Sequence, residues 1–382
     1  MWDLKPALDE RRQANLYRQR RIVYSHQGTE LMIDGKLLLN FCSNDYLGLA
    51  SNRELVTALR DSASQYGVGA GASHLVCGHN EQHHALEAEI ANFIQRDRVL
   101  LFSTGYMANL GTVSALMSRK DTVFEDRLNH ASLIDAARLS GASCKRYSHA
   151  DHLALPSRMD EVSAGHKMVI TDSVFSMDGD IAPLPELAAL CDADDRVLMI
   201  DDAHGFGVLG EDGRGAANHF GLDQHQAPII MGTLGKAMGV FGAFVAGSDD
   251  LIETLVQRAR SYIYTTALPP AVAGAVRTGL SMSRRDSWRR EKLFEHIAYF
   301  KQQAEKLGIP LMPSDTPIQP VLIGDVQKTL DVSQKLEEQG ILVTAIRPPT
   351  VPEGAARLRI TFSASHKQQD VDKLLEALAG CL

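Results

Sequence analysis

A lysine in a glycine-rich turn is the residue of this chain best placed by its surroundings to do chemistry. Lys236 ends the segment TLGK at 233–236, which directly follows the apolar run APIIM at 227–231. A lysine is a poor structural choice at such a place, because its charge is costly to bury and its long stem is costly to order. The same amine is well suited to forming a Schiff base with a carbonyl compound.

An aspartate pair some thirty residues earlier would complement this lysine. Asp201 and Asp202 follow a second apolar run, at 196–200, and His204 comes two residues later. An aspartate at the end of a neighbouring strand could pair with a pyridinium nitrogen and keep it protonated, which makes such a ring a strong electron sink. His204 could then reach the phenolic oxygen of the ring. Together these residues predict an enzyme that uses pyridoxal 5'-phosphate (PLP).

Two other interpretations of these residues are a P-loop and a magnesium site. A P-loop is excluded, because Ile230 stands where its first glycine should be and Ala237 follows the lysine. A magnesium site on Asp201 and Asp202, as in phosphoryl-transfer enzymes, is the second. It is the weaker interpretation, because no phosphate-cradling loop accompanies the pair.

Several further motifs are ambiguous when each is taken alone. Gly105 and Tyr106 lie in the segment 102–109, whose strand–turn–helix pattern would suit a phosphate, although an ordinary capped helix is the favoured interpretation of this motif alone. The glycine stretch 67–73 superficially fits the dinucleotide fingerprint. It follows a helical stretch rather than a strand, so that function is rejected, and the glycines indicate a close backbone approach.

Histidines raise similar alternatives. His79, His83 and Glu87 are four residues apart and could hold a metal from one helix face; a helix start with solvated histidines is the plainer interpretation. His130 could be a helix cap or a residue that stacks on a cofactor ring. Ser176 is a turn residue unless the cofactor site is real.

Composition bounds the class of protein. The chain has 382 residues, 45% of them hydrophobic, and a net charge of −8, the balance of a globular enzyme and a poor match to nucleic acid. Five scattered cysteines without a Cys-x-x-Cys pair, no apolar signal core and no membrane-length apolar run favour a cytoplasmic location. The basic run 18–21 is either a solvated helix end or a site for an acidic substrate.

The elements that must position these residues follow from hydrophobic patterning. A charged helix at 3–20 and a hairpin turning at Asp34-Gly35 come first. From 50 to 280, apolar runs alternate with amphipathic segments, which predicts a mostly parallel sheet covered on both faces. The strands expected there are 99–103, 122–125, 168–171, 197–200, 229–231 and 242–246. We expect three segments: an N-terminal helix and hairpin (1–50), a large cofactor-binding α/β domain (51–284) and an α+β C-terminal domain (285–382), which contains strands near 318–323, 341–344 and 358–362.

These motifs, in this order, resemble the α-oxoamine synthases of PLP fold type I. The resemblance runs from about Arg18 to His366 and rests on the segments 43–49, 67–73, 103–106, 174–180, 201–205 and 233–236. It implies a large domain with a mostly parallel seven-stranded sheet between helices and a smaller α+β C-terminal domain. It also implies PLP as the cofactor, no metal, and a homodimer with shared active sites.

The resemblance assigns roles by matching position. Lys236, Asp201 and His130 would be the catalytic residues: the Schiff-base lysine that also acts as base, the partner of the pyridinium, and the residue that stacks on the ring and contacts substrate. The other cofactor contacts would be His204, Gly105, Tyr106, Ser176, Thr233 and, toward the phosphate of the neighbouring subunit, Thr265 and Thr266. The other substrate contacts would be Asn44 and Arg359, which hold an amino-acid carboxylate, and Arg18 and Thr350.

The substrate is suggested by the segments 345–352 and 356–359. They look most like the family member that condenses L-alanine with a pimeloyl thioester, carried by CoA or by a carrier protein, and releases carbon dioxide in biotin biosynthesis. A member that uses glycine and acetyl-CoA is the nearest alternative. A non-catalytic partner subunit is a further one, and Lys236, Asp201 and His130 together argue against it.

Overall fold

Fourteen α-helices and thirteen strands lie in the part of the chain that the computed structural model describes, residues 1–14, 16–162, 164–192 and 195–382. The helices are α1 Lys5–Gln13, α2 Arg53–Tyr66, α3 Glu81–Ile94, α4 Gly105–Leu116, α5 Ala131–Ser140, α6 Leu155–Asp160, α7 Leu184–Leu190, α8 Ala216–His219, α9 Asp249–Arg258, α10 Arg260–Ile263, α11 Pro270–Arg285, α12 Trp288–Lys306, α13 Val326–Glu338 and α14 Gln368–Cys381. The strands are β1 Glu30–Ile33, β2 Lys36–Asn40, β3 Arg98–Phe102, β4 Thr122–Asp126, β5 Ser143–Tyr147, β6 Lys167–Asp172, β7 Arg196–Asp201, β8 Ile229–Thr233, β9 Ala243–Gly247, β10 Ile318–Gly324, β11 Ile341–Leu342, β12 Thr344–Ile346 and β13 Ala356–Thr361.

The central sheet has seven strands in the order β3-β9-β8-β7-β6-β4-β5. The pairs from β8 through β5 are parallel, whereas β9 is antiparallel to both of its neighbours. Side chains along the buried strands alternate between two apolar cores, one on each face: Val169 and Leu198 belong to one, Met168 and Met199 to the other. The predicted α/β architecture with a mostly parallel seven-stranded sheet is therefore confirmed.

The six strands predicted from apolar runs are all present, and the seventh was missed. That strand, β5, reads SCKRY and lies at the edge of the sheet, where its first four residues are not buried. An edge strand needs no continuous apolar run, because one side of its backbone has no partner strand and its side chains meet water.

The described strands also form two smaller three-stranded sheets. The predicted hairpin is present: β1 and β2 are antiparallel, and Asp34 and Gly35 have φ of 50° and 77°, as a two-residue turn requires. The single strand expected at 341–344 is wrong in detail. The chain divides there, so that β11 pairs with β2 and β12 pairs with β13. No helix among the described residues is long and apolar enough to cross a bilayer.

Candidate active site

Three strands bring the candidate residues to one edge of the central sheet. Asp172 ends β6, Asp201 ends β7 opposite it in register, and Thr233 ends β8. Because neighbouring parallel strands end at the same edge, the turn that carries Lys236 emerges beside both carboxylates. The edge therefore collects an amine and two acids that lie far apart in the sequence.

Backbone hydrogen bonds close the turn that carries Lys236. The Leu234 amide donates to Gly242 O at 2.9 Å, and the Val240 amide donates to Leu234 O at 3.0 Å. Gly239 has a φ of 68°, and a Cβ there would lie 2.6 Å from the Ala50 amide nitrogen, so only glycine fits. The turn is thus held against segment 49–50, and Lys236 is presented from a fixed backbone.

Lys236 contacts a buried histidine. Its Nζ lies 2.8 Å from Nε2 of His204, whose Nδ1 lies 2.7 Å from the hydroxyl of Tyr46. Loss of surrounding water lowers the pKa of Lys236 to about 8; the charges of Asp201 and Asp172 oppose this shift and that of Arg359 adds to it. About a tenth of the molecules therefore carry Lys236 as the neutral amine at neutral pH, the form that a base requires.

Asp201 is held by two donors. Its side chain is buried, Oδ2 accepts from Asn109 Nδ2 at 2.7 Å, and Oδ1 accepts from the Ala203 amide at 3.0 Å. Asn109 also donates to Ser132 Oγ at 2.8 Å, and this hydroxyl lies 2.7 Å from His130 Nδ1. The hydrogen bonds fix the carboxylate and connect it to His130.

His130 fills the first of its two predicted roles, that of a helix cap, and stacking on a cofactor ring stays a prediction. It caps α5, since its Nδ1 accepts from the Ser132 amide, and its own amide donates to Asp172 Oδ2 at 2.6 Å. Burial lowers the pKa of His130, with Asp201 opposing and Lys236 assisting. The ring is thus neutral at neutral pH.

An arginine on β13 faces the same site from the C-terminal part of the chain. Arg359 is buried; its Nε donates to Ser176 O at 2.5 Å and its Nη2 to Asn44 Oδ1 at 3.1 Å. The next arginine on that face, Arg357, donates to Asp178 Oδ1 at 2.5 Å. The turn 174–180 is therefore tied to β13, and three predicted substrate or cofactor residues meet in one cluster.

Other predicted residues stand apart from this network. Gly105 and Tyr106 open α4, behind the Thr104 cap, and the Tyr106 hydroxyl donates to Asp135. Thr233 Oγ1 donates to Gly242 O at 3.1 Å. Within the described residues, no hydrogen bond connects the remaining four to the Lys236 cluster: Arg18, Thr265, Thr266 and Thr350.

The structure gives less support to the two alternative metal sites, the histidine group near α3 and the Asp201–Asp202 pair. Helix α3 begins at Glu81, so His79 lies outside it. His83 is buried rather than solvated: its Nδ1 accepts from the Asn80 amide and its Nε2 donates to Leu268 O, so neither nitrogen is free for a metal. Asp202 accepts from Ser173 Oγ at 2.6 Å and from the Ala216 amide at 2.9 Å, so its carboxylate is oriented by contacts within the fold.

Three residues of the cluster were missed from the sequence. Asp172 ends a predicted strand as Asp201 does, and that signal could have identified it. Tyr46 and Asn109 lie inside motifs that were noticed, but their partners, His204 and Asp201, are 158 and 92 residues away. Only the folded chain shows those contacts.

The side chains present fit PLP. The cofactor needs an amine for its aldehyde, an acid for its pyridine nitrogen and donors for its phosphate. Lys236 supplies an amine with a lowered pKa, Asp201 supplies a buried carboxylate, and the first turn of α4 offers backbone N–H groups at a helix N-terminus.

Comparisons with known proteins agree with this arrangement. The family model for aminotransferase class I and II matches residues 36–378. An 8-amino-7-oxononanoate synthase from Thioalkalivibrio sulfidiphilus is 58% identical over 379 residues, which cover 99% of this chain and 97% of the relative.

Solved structures are similar as well. A serine palmitoyltransferase variant from S. paucimobilis, with bound PLP–myriocin, has a TM-score of 0.93 and 26% identity over 99% of this chain and 96% of that one. The 8-amino-7-oxononanoate synthase from Francisella tularensis has a TM-score of 0.79 and 32% identity over 90% of this chain and 97% of that one.

Proposed function

The chain belongs to the class I and II aminotransferase family and, within it, to the 8-amino-7-oxononanoate synthases, and from this premise we propose that it joins L-alanine to a pimeloyl thioester. The observation that carries the proposal is the identity of 58% to a synthase of that name over nearly the whole chain. The chain is accordingly a PLP-dependent acyltransferase of biotin biosynthesis.

The reaction makes one carbon–carbon bond and breaks one carbon–carbon and one carbon–sulfur bond, while Cα loses a proton first and regains one after carbon dioxide leaves. Cα of alanine bonds to the thioester carbonyl carbon, the carbon–sulfur bond breaks to release the thiol, and the carboxyl group of alanine leaves as carbon dioxide. The cofactor supplies an electron sink when bound. The protein must therefore hold the alanine, remove its α-proton and position the charged groups around the reacting atoms.

We assign the work of holding and deprotonating the alanine to the Lys236 cluster. Lys236 takes the α-proton, because its lowered pKa leaves amine present near neutral pH. Arg359 and Asn44 bind the carboxylate, since a guanidinium fork matches two carboxylate oxygens. We assign Asp201 to the pyridinium nitrogen of the cofactor and the ring of His130 to stacking on the cofactor.

We further propose that two copies of the chain share their sites. Large apolar side chains are exposed around the glycine stretch and the segment 262–267: Val68, Leu75, Val76 and Tyr264. The two segments touch, since the Ala267 amide donates to Ala72 O at 2.9 Å and the rings of His74 and Tyr262 stack. Thr265 and Thr266 lie in the second of these segments, outside the Lys236 network, where a second copy could use them. A solution mass of a single chain would contradict this.

The five cysteines are all unpaired in the described structure. Unpaired thiols persist in a reducing compartment, which supports the cytoplasm as the proposed location.

Thiol release by the PLP-loaded protein tests the function. Alanine, glycine and serine are each combined with pimeloyl-CoA and with acetyl-CoA. We expect release with alanine and pimeloyl-CoA only. Release with glycine and acetyl-CoA instead would keep the cofactor and Lys236 chemistry but would replace the substrate assignment, which rests on the segment 345–352 and on the name of the relatives.

Replacing Arg359 with lysine should weaken alanine binding. A lysine cannot donate from the same fork to Ser176 O, Asn44 and a carboxylate at once, so about 1.5–3 kcal/mol of charge-assisted hydrogen bonding is lost. The KM for alanine should rise roughly tenfold to a hundredfold, with a smaller change in kcat. Steady-state kinetics measure both.

A neighbouring arginine supplies the control for this variant. Arg357→Lys alters the bond to Asp178 and should lower the unfolding temperature with little effect on KM. Equal KM changes in the two variants would contradict the assignment of Arg359.

A further inference from the structure

Tyr46 lies between the residue that contacts Lys236 and a residue assigned to substrate binding. The side chain is fully buried, and its hydroxyl is 2.7 Å from His204 Nδ1 and 3.2 Å from Asn44 Oδ1. Asn44 Oδ1 is also an acceptor for Arg359. The hydroxyl thus has two acceptors within reach and only one proton to donate.

The protons on this chain of contacts can be counted. Burial and the neighbouring cations Lys236 and Arg359 hold the pKa of His204 well below its usual value, so the ring is neutral with one N–H. Burial raises the pKa of Tyr46 to about 12, so its hydroxyl keeps its proton. The contact between Tyr46 and His204 therefore holds at most one proton, and so does the contact between His204 and Lys236.

When Lys236 is an ammonium, one arrangement satisfies every bond. The ammonium donates to His204 Nε2, which must then be bare. The imidazole proton is consequently on Nδ1 and is donated to the Tyr46 oxygen. The Tyr46 proton must point to Asn44 Oδ1.

When Lys236 is an amine, the opposite arrangement becomes available. Tyr46 donates to His204 Nδ1, and the imidazole proton lies on Nε2, where the amine accepts it. The two arrangements differ by one proton overall. The orientation of the Tyr46 hydroxyl therefore depends on the charge of Lys236 and also influences that charge.

We propose that Tyr46 is a positioning residue that sets the tautomer of His204 and, through it, the balance between the amine and the ammonium of Lys236. The inference deepens the proposed function, on which its catalytic meaning rests. The charged and titratable groups that act on Lys236 in this structure are Asp201, Asp172, Arg359, His130 and His204; the first two favour the ammonium, and Arg359 opposes it. Tyr46 and Asn44 add a neutral, directional control to these charges.

Two variants should shift the balance between the amine and the ammonium of Lys236 in the same direction. In Tyr46→Phe, the ammonium form leaves a buried Nδ1–H of His204 without an acceptor, which costs more than the bare nitrogen left by the amine form. In Asn44→Ala, the Tyr46 proton has no acceptor except His204, which forces the tautomer that faces Lys236 with a donor. Both changes favour the amine.

The measurement is the reactivity of Lys236 toward acetic anhydride as a function of pH, in the full-length chain free of cofactor, read by mass spectrometry of the peptide that contains Lys236. We expect the midpoint of the wild-type profile near pH 8, the pKa of Lys236. Losing one hydrogen bond to the charged form should raise the rate at pH 6 about tenfold in each variant. Tyr147→Phe, which removes another buried hydroxyl, is the matched control and should leave the profile unchanged.

A double variant makes the test specific. Tyr46 and Asn44 act through the same tautomer, so Tyr46→Phe/Asn44→Ala should shift the profile no further than Tyr46→Phe alone. Additive shifts, or an unchanged midpoint in Tyr46→Phe with a normal unfolding temperature, would overturn the proposal. Because the assay uses neither alanine nor a thioester, its failure is distinguishable from failure of the proposed function.

Discussion

Lys236→Ala should abolish turnover and the covalent attachment of PLP. The variant loses the amine that attaches the cofactor and the base that takes the α-proton, and base catalysis by a positioned side chain alone is worth about 10²–10⁴-fold. We expect the rate of thiol release to fall by more than ten-thousandfold. The bound chromophore should be removable by dialysis from the variant and retained by the wild type.

Two controls separate the chemistry of Lys236 from its charge. Lys236→Arg keeps a cation beside His204 but cannot lose its proton near neutral pH, so it should be as inactive as the alanine variant. Lys328→Ala, on the exposed face of α13, should have normal activity. Substantial turnover in Lys236→Arg would show that the amine is not the base.

Asp201→Asn should have the second largest effect. The replacement removes a buried negative charge, and its amide must present a donor to either Asn109 Nδ2 or the Ala203 amide, both of which are donors themselves. Removing one partner of a buried charged pair costs about 3–5 kcal/mol, which corresponds to a loss of roughly a hundredfold to several thousandfold in kcat.

The neighbouring strand provides a matched buried acid. Burial and the charge of Asp201 raise the pKa of Asp172 well above its usual value. An asparagine at position 172 can still accept from the His130 amide, and only Asp201 is assigned to the pyridinium of the cofactor. Asp172→Asn should therefore lose far less activity than Asp201→Asn. Equal losses in kcat would show that the cluster needs negative charge in general rather than a carboxylate at position 201.

The central sheet was predictable because its strands carry continuous apolar runs. Six runs mark six strands, since a strand buried on both faces must be apolar at every position. The edge strand β5 and the division between β11 and β12 were not predictable in this way, because both depend on which neighbouring strand is available for hydrogen bonding. The proposed division of the chain into three segments stays a prediction.

The site was predictable as far as its residues end strands or stand in unusual turns. Residue type and position in the sequence are enough to identify Lys236, Asp201 and His204 as candidates. In the structure, Lys236 contacts His204. The residues that orient them, Tyr46 and Asn109, are a tyrosine and an asparagine of ordinary appearance. Their importance comes from distances across the fold, which a one-dimensional pattern does not contain.

The polar composition that concealed β5 has a consequence for the protein in a crowded cell. An unpaired sheet edge is a template on which other chains can add strands. On β5, Lys145 pairs with Glu161 and Arg146 with the buried Glu125, so a foreign strand would have to displace or bury these charges. The same residues that weaken the strand signal therefore protect the sheet against aggregation along its open edge.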